Sequence, residues 1–529
     1  MRKTLYLSVF LLLNTTTATP QTLVNVETNS WVYPVLDRFV AKGYLYIDTE
    51  ARPLTRGEVA QKLMVRIRSG RNADAMSSID YHLWQRLIWE FREELSAHSS
   101  ESSLFSPAGY QDQPFIESRE GEGYVALDAN VAEEAFLGRT KLKDSVCVID
   151  TLVWSSRTSV ELDARGQFGK GPAFDQALVF TRIEGDEDFF PGSGGSGVRG
   201  WKSGTAQVER AYLKHAFGPI QVEAGRDRFW WGPGRWGTLI LSDGGAPIDM
   251  VDISTRFRIV SFRGFTAVLS PYEGIYLSAH RLSFQLPFRT ILGFTETVIY
   301  QRSSYPELQY VNPLIPYYLA EHNLEQDDNT LWNFSLVTCP GGGVRFYGEF
   351  LIDDFRYVRS EDSPDKLAGL VGFQVADPLG LPDSDLRCEY TRINKWVYTH
   401  RDTFNAYVNY GTPIGDTLGP DSDRLLLSVC HRPTAFLEVL LGYRYLRHGE
   451  GTIDLSWEEE GGEPRPHFPS GEIETFNSLF ARANLRPVWW GYLDGGVMYT
   501  RARNSNAFGV CPEKPIDRWQ FDLALRLDI

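Results

Sequence analysis

Cysteine is scarce in this chain and unclustered. Five residues, Cys147, Cys339, Cys388, Cys430 and Cys511, are spread along 529 positions. No C-x-x-C pair occurs, which removes zinc-ribbon and thioredoxin-type chemistry. An odd count leaves at least one thiol without a partner in the chain, and small apolar residues on strands are the plain expectation. Methionine is equally rare, at 5 residues. Positive charge is short as well: 53 Lys and Arg stand against 68 Asp and Glu, a net charge of −15. Holding a phosphate backbone needs clustered Lys and Arg, so nucleic acid is excluded as a partner. After residues 5–13, no apolar run approaches the about 20 residues that a membrane helix needs. No catalytic motif and no metal-ligand spacing stands out, so no catalytic residue, metal or cofactor is assigned.

The single apolar run has the form of a secretory leader. Arg2 and Lys3 precede it, residues 5–13 are its core, and Thr17-Ala18 supplies small residues for cleavage within residues 1–21. Residues 1–18 are therefore expected to be a signal peptide, and the protein to be exported without a helical anchor. Aromatic residues are abundant at 13%, and glycine is plentiful at 47 residues. That balance suits an exported, mainly β protein.

Residues 30–95 are helical in pattern. Trp31, Val35, Phe39 and Val40 recur at helical spacing, and Gly43 closes the element. Thr55 with Glu58 three residues on reads as a capping box for a second helix carrying Ala60, Leu63 and Met64. A third helix, 75–95, carries Ile79, Leu83, Leu87 and Phe91 on one face. Residues 96–123 are polar and rich in Ser, Gly and Pro, and read as a linker.

From Tyr124 onward the period is two. Val125, Leu127, Ala129 and Val131 alternate with Asp128 and Asn130. Val160, Leu162 and Ala164 alternate with Glu161, Asp163 and Arg165. Val344, Phe346, Phe350 and Ile352 oppose Arg345, Glu349 and Asp353. Leu479, Ala481, Ala483 and Leu485 share a face, as do Trp519, Phe521, Leu523, Leu525, Leu527 and Ile529. A water-soluble sandwich gives this pattern, and so does a barrel whose apolar face meets lipid. The leader and the number of strands favour the barrel. The expected fold is a large antiparallel transmembrane β-barrel of roughly 16–20 strands, about 18 as the central count, after a small N-terminal helical bundle. The expected division is 1–18 leader, 19–118 periplasmic bundle and linker, and 119–529 outer-membrane barrel. Counting long and short connections forward from Gly204 and backward from Ile529 gives phases that conflict between Phe355 and Ser384.

The most unusual stretch is 225–252, GRDRFWWGPGRWGTLILSDGGAPIDMVD. Its glycines permit tight turns, and its Trp rings suit an interface or a sugar face. Trp230, Trp231, Trp236 and Asp243 are the candidate polysaccharide-binding residues. Arg226, Arg228, Arg281, Glu296, Arg345, Glu349 and Asp353 are charges in strand-like positions. In a barrel they are expected to pair across the lumen and plug it, because buried charges are tolerated mainly when paired. Asp327-Asp328 and Asp353-Asp354 lack the Gly-spaced loop of a calcium site. Ser278 and His280 lie two apart, on one face of a strand. A lipid hydrolase would also need an orienting group and an oxyanion hole, which nothing in the sequence marks.

Several of these pieces together resemble one family. Trp231-Gly232-Pro233-Gly234, with Thr238-Leu239-Ile240-Leu241-Ser242 after it, is similar to the signature of the capsule assembly protein Wzi family. Ser278-Ala279-His280-Arg281-Leu282, Asn312-Pro313-Leu314, Asp328-Asn329, residues 347–355 (YGEFLIDDF), Glu389-Tyr390-Thr391 and Tyr398-Thr399-His400 follow in the family's order. The resemblance covers most of the chain from about Tyr124. It implies an outer-membrane barrel with a helical bundle at its periplasmic mouth. It also implies a lectin-like, non-enzymatic role in attaching or organising capsular or extracellular polysaccharide, with outer-membrane lipid as surroundings. Residues 54–63 resemble an S-layer homology type of helical module, which implies a periplasmic cell-wall contact through the bundle. A porin-like channel for sugars or ions is the alternative from another class.

Overall fold

The computed structural model describes residues 23–69, 76–96, 116–120, 123–143, 148–168, 171–185, 204–354, 364–461, 463–488, 491–504 and 515–528. The expected leader, most of the linker, the connection 186–203, Cys147 and Cys511 lie outside the described residues.

The bundle forms where helical spacing places it. Helix α1 (Val32–Ala41) buries Val35, Leu36, Phe39 and Val40, and the chain leaves it through Gly43 at φ +75°. Helix α2 (Arg56–Arg68) starts on the expected capping box: Thr55 accepts from the Glu58 N–H, and Glu58 accepts from the Thr55 N–H. Two first-turn donors are thereby satisfied reciprocally. The expected third helix is two helices. Helix α3 (Ser78–Glu90) starts at Ser77, not at 75, and ends where Phe91 leaves helical geometry at φ −103°, ψ 20°. Helix α4 (Arg92–Ser96) follows. The break lets Phe91 and Leu95 both bury fully, while Arg56 reaches Glu90 at 2.6 Å and Glu94 at 2.8 Å.

Eighteen strands among the described residues close one antiparallel barrel, and a short strand, Ile116–Glu120, in what the sequence suggests is linker, pairs with the start of the first of them. They are β1 (Gly123–Lys143), β2 (Val148–Gln167), β3 (Ala173–Gly185), β4 (Gly204–Phe217), β5 (Ile220–Asp227) and β6 (Ile248–Phe257). Next come β7 (Val260–Ser270), β8 (Ile275–Leu286), β9 (Thr290–Gln301), β10 (Asn329–Gly341), β11 (Val344–Asp354) and β12 (Lys366–Ala376). The ring ends with β13 (Ser384–Ile393), β14 (Ser422–Thr434), β15 (Leu437–His448), β16 (Glu474–Val488), β17 (Gly491–Arg503) and β18 (Ile516–Asp528). Pairing of β18 with β1 closes it, from Asp517↔Lys141 to Asp528↔Asn130. Closure leaves no exposed edge. Strand β12 resolves the conflicting connection counts, because it supplies the one extra crossing between Phe355 and Ser384.

Outward positions are apolar. Leu162, Leu213, Phe334, Phe350, Val371 and Phe521 are among the large exposed side chains, and their neighbours in sequence point inward. A closed ring that pairs every inner strand and shows hydrocarbon outside is built to cross a bilayer. Short turns gather at one end of the barrel, at 218–219, 258–259, 287–289, 342–343 and 435–436. Long connections gather at the other, at 228–247, 302–328, 394–421 and 449–473.

The bundle sits on the short-turn end. Arg38 is fully buried there and reaches Asp80 at 2.7 Å, Asp377 at 2.7 Å and Asp385 at 3.0 Å. Asp377 lies in the turn between β12 and β13, so the guanidinium ties α1 and α3 to the rim. Tyr46 donates to the main chain of the β8–β9 turn. The bundle and the lumen share a single apolar core.

Candidate functional site

Two segments enter the barrel and meet. From the short-turn end comes the chain after α1, whose Ala51 and Arg52 pair antiparallel with Trp231 and Trp230. From the long-connection end comes loop 228–247, folded inward between β5 and β6. Glu50, at the tip of the first segment, accepts from Arg281 of β8 at 2.9 Å and from Ser335 of β10 at 2.7 Å. The Gly232 N–H donates to the Glu50 carbonyl at 2.9 Å. Loop 394–421 closes over the top: Tyr398 and Tyr407 donate to the carbonyls of Leu239 and Ile240 at 2.6 Å and 2.8 Å.

This packing explains the glycines of the Trp-rich stretch. A Cβ at Gly232 would lie 2.0 Å from Thr238 Oγ1, and one at Gly234 would lie 1.9 Å from the Gly237 carbonyl. Only glycine allows such close approach. Trp231 has no exposed surface and packs edge-on against Phe229 and Phe265. Trp230 is buried too, with its indole N–H on the Gly232 carbonyl at 3.1 Å. Neither ring presents a face on which a sugar could stack. Trp236 and Asp243 are half-buried, and Asp243 accepts from Thr28 at 2.7 Å. The four do not come together on an open surface. The Trp motif is a keystone of the plug, because its rings fill the space between the two inserted segments.

The seven charged positions divide. Arg281, Arg345, Glu349 and Asp353 are buried against the plug. Glu349 accepts from Thr238 Oγ1 at 3.1 Å and from the Leu239 N–H at 3.0 Å. Arg345 reaches the Pro233 carbonyl at 3.4 Å, and Asp353 accepts from the Tyr398 N–H at 2.5 Å. Arg228 pairs with Glu209 at 2.8 Å. Arg226 and Glu296, expected in the lumen, face outward instead. Arg226 is off by one position from the inward Asp227 and pairs with Asp249 at 2.6 Å. Glu296 is off by one from the inward Thr295. A single residue of register reverses the face of a strand side chain, and both positions place charge on the outer wall.

Ser278 and His280 also face outward. The Ser278 hydroxyl is bonded to Thr266 and Tyr300, and His280 to Glu296. No hydrogen bond joins Ser278 to His280, so they do not form a nucleophile and base. Asp328 is bound by Arg302 at 2.8 Å, and no group of three metal-ligating side chains occurs among the described residues.

The plug leans on one side of the barrel. Along β14–β18 and β1–β4 it leaves a cleft of about 990 Å³, reaching from Gln207 and Arg228 down to Phe436 and Tyr492 at the short-turn end. The lining is charged and largely self-paired. Arg210 holds Glu27, Asp163 and Asp175 at 2.7, 2.8 and 3.4 Å, and Arg165 holds Asp128 at 3.0 Å. Arg86 stacks on the Trp31 ring at 3.7 Å. Arg235, in the middle of the Trp-rich stretch, is different. Its main-chain N–H donates to Glu389 at 2.8 Å, yet its guanidinium, exposed to the cleft, makes no ion pair with any described residue. No pattern in the sequence marks it, because the flanking tryptophans are the louder signal.

A closed strand ring with an apolar wall, filled by its own inserted segments and bearing one charged internal cleft, is an occluded transmembrane β-barrel. The chain belongs to the capsule assembly protein Wzi family, whose profile matches residues 58–276 and 327–506. That match reaches into the helical bundle as well as the barrel, and the barrel sits in an outer membrane. In fold the chain is similar to Wzi of Escherichia coli, described as an outer-membrane protein involved in group 1 capsule assembly and a carbohydrate-binding β-barrel. The two share 15% identity over 95% of this chain and 99% of that one, with a TM-score of 0.61. Pseudomonas aeruginosa OccK5 aligns at 9% identity over 76% of this chain and 98% of its own, with a TM-score of 0.44. A BenF-like porin from Pseudomonas fluorescens Pf-5 aligns at 11% over 76% and 99%, also at 0.44. No curated protein matches the chain in sequence.

Proposed function

We propose that this protein is a non-enzymatic outer-membrane barrel that holds surface polysaccharide, with the internal cleft as its docking groove. The observation that carries the reading is Arg235: a guanidinium with no ion pair among the described residues, in a groove lined by paired charges, calls for an anion, and acidic sugars supply carboxylates. The aromatic rings at the cleft's lower end, Trp31, Tyr124, Phe436 and Tyr492, offer flat surfaces beside hydrogen-bonding groups. In this reading the short-turn end and its bundle face the periplasm, as short turns do in barrels of this kind, and the bundle is placed to touch cell-wall polymer. Family membership and the carbohydrate-binding relative support a polysaccharide partner over a transported solute.

Binding of alginate, an acidic polymer, and of dextran, a neutral one, to the detergent-purified protein tests this. Alginate is expected to bind and dextran to bind weakly. Arg235→Ala is expected to lose about tenfold or more in affinity, the size of a charge-assisted hydrogen bond. Equal binding by the variant, or no acidic polymer bound at all, counts against the assignment. The porin alternative is separated by planar-bilayer recording. A plugged barrel gives almost no current, whereas sustained large steps from the wild type favour transport.

A further inference from the structure

The outer wall carries a feature that the plug and cleft do not explain. Connection 302–328 does not project from the long-connection end. It folds back down the outside of the barrel over β7–β10. Helix α5 (Leu308–Val311) and helix α6 (Tyr317–Leu324) lie in it, and Tyr310, Tyr317 and Ala320 are buried against the outward side chains Tyr276, Val298 and Tyr300.

Gly264, His280, Glu296 and Trp332 form one row across four adjacent strands, about midway along the first three. A membrane strand spans with about 9–11 residues, so this row lies at hydrocarbon depth. A bare Glu and His there would be costly. The folded-back segment satisfies them. Glu296 accepts from the Tyr317 and Tyr318 N–H groups at 2.8 and 2.9 Å and from the Trp332 indole at 2.8 Å, and it meets His280 at 3.1 Å. Helix α6 has no side-chain cap of its own, and the strand carboxylate takes that place at its positive end. Gly264 makes room for Pro313, since a Cβ there would stand 2.6 Å from the proline ring. Arg302 and Tyr310 converge on Asp328 to tie the base of the segment together.

Its other face is mostly apolar over residues 308–320, with Asn312 the one exposed amide there. Residues 308–320 contain no charged side chain. Leu308, Leu314 and Leu319 are 71%, 78% and 56% exposed. Toward the short-turn end, the next outward row beneath the segment is Phe262, Leu282, Phe294 and Phe334, part of the lipid-facing belt. The exposed leucines therefore continue that belt without a break.

We propose that residues 308–320 form a membrane-embedded flap, whose outer face rests among lipid acyl chains while its inner face caps the Glu296–His280 pair. The flap displaces lipid from the wall where the wall is polar and hands the contact on to leucine. The occupant of the exposed face is the hydrocarbon of the leaflet on the long-connection side.

The test is spin-label accessibility at Leu314→Cys, in the full chain with its five cysteines replaced by alanine and reconstituted in phosphatidylcholine vesicles. Oxygen concentrates in hydrocarbon and a nickel chelate stays in water. The label is expected to collide with oxygen several-fold more than with nickel, like a Leu336→Cys label on the bare belt and unlike a Tyr272→Cys label on the exposed β7–β8 turn. Nickel accessibility matching Tyr272→Cys would place the flap in water and overturn the proposal. Shielding from both reagents with dipolar broadening would show a second copy on this face, and overturns it too. Glu296→Leu in the labelled chain is expected to narrow the spectrum as the flap loosens from a wall that stays folded. An unchanged spectrum would reject the capping half of the argument.

Discussion

The two halves of the lumen share one strand architecture and differ in what their inward side chains meet. Along β6–β13, inward Phe265, Ala267, Leu277, Ala279, Ile299, Leu331 and Leu370 join Trp231 and Leu239 in a dry core. Along β14–β18 and β1–β4, inward Asp128, Glu161, Asp163, Arg165 and Arg526 face the cleft. Charges occur in both halves, but their settings differ. Arg281 and Glu50 are each about 1% exposed and depend on one another. Arg526 and Glu161 are 3.6 Å apart at the edge of an open charged groove. The same residue types are structural keystones on one side and a solvated lining on the other.

The contrast is broken most directly in the dry half. Arg281→Ala leaves the Glu50 carboxylate buried without its cation, and a loss of about 3–5 kcal/mol is expected in thermal unfolding of the detergent-solubilised protein. The foot of the cleft gives a smaller, pH-dependent effect. Burial alone would raise the Glu90 carboxyl, but the Arg56 guanidinium outweighs it and draws its pKa down to about 2. A depressed acid stabilises the folded state above its unfolded value near 4.3 and loses that contribution as pH falls toward 2. Hydrogen exchange of the amides in α2–α4 is therefore expected to be level from pH 7 to about 5 and to quicken below about pH 4 once corrected for intrinsic rates. A profile that stays level to pH 3 would detach the pair from bundle stability. The smallest effect belongs to the cleft wall: Glu161→Gln is expected to cost about 1 kcal/mol or less. A loss there as large as that of Arg281→Ala would erase the distinction between the two halves.

The same difference governs what a reader of the sequence sees. Strands such as 124–131, 159–165 and 519–528 alternate cleanly because lipid lies on one side and charge on the other. Strand β12 carries no such alternation. In KLAGLVGFQVA the inward Ala368 and Leu370 meet the apolar plug while the outward Val371 and Phe373 meet lipid, so period two vanishes. Gly372 is also inward, where the Tyr347 ring fills the space a Cβ would take. The Trp-rich stretch stood out as singular, but its composition suited a sugar face and a packed interior equally. Arg235 had no sequence mark at all. Its importance comes from a guanidinium with no ion pair among the described residues, which depends on residues from Glu389 to Glu438 folding around it.

The sequence alone determined that this chain makes a closed barrel with a helical bundle before it. Strand alternation, helical spacing and capping are local, and each is written within a few neighbouring residues. Only the tertiary structure decided which inward positions are dry and which are wet, that Arg226 and Glu296 point outward, and that residues 302–328 lie against the wall. Those outcomes rest on segments far apart in the chain filling a common volume, and that volume exists only once the ring has closed.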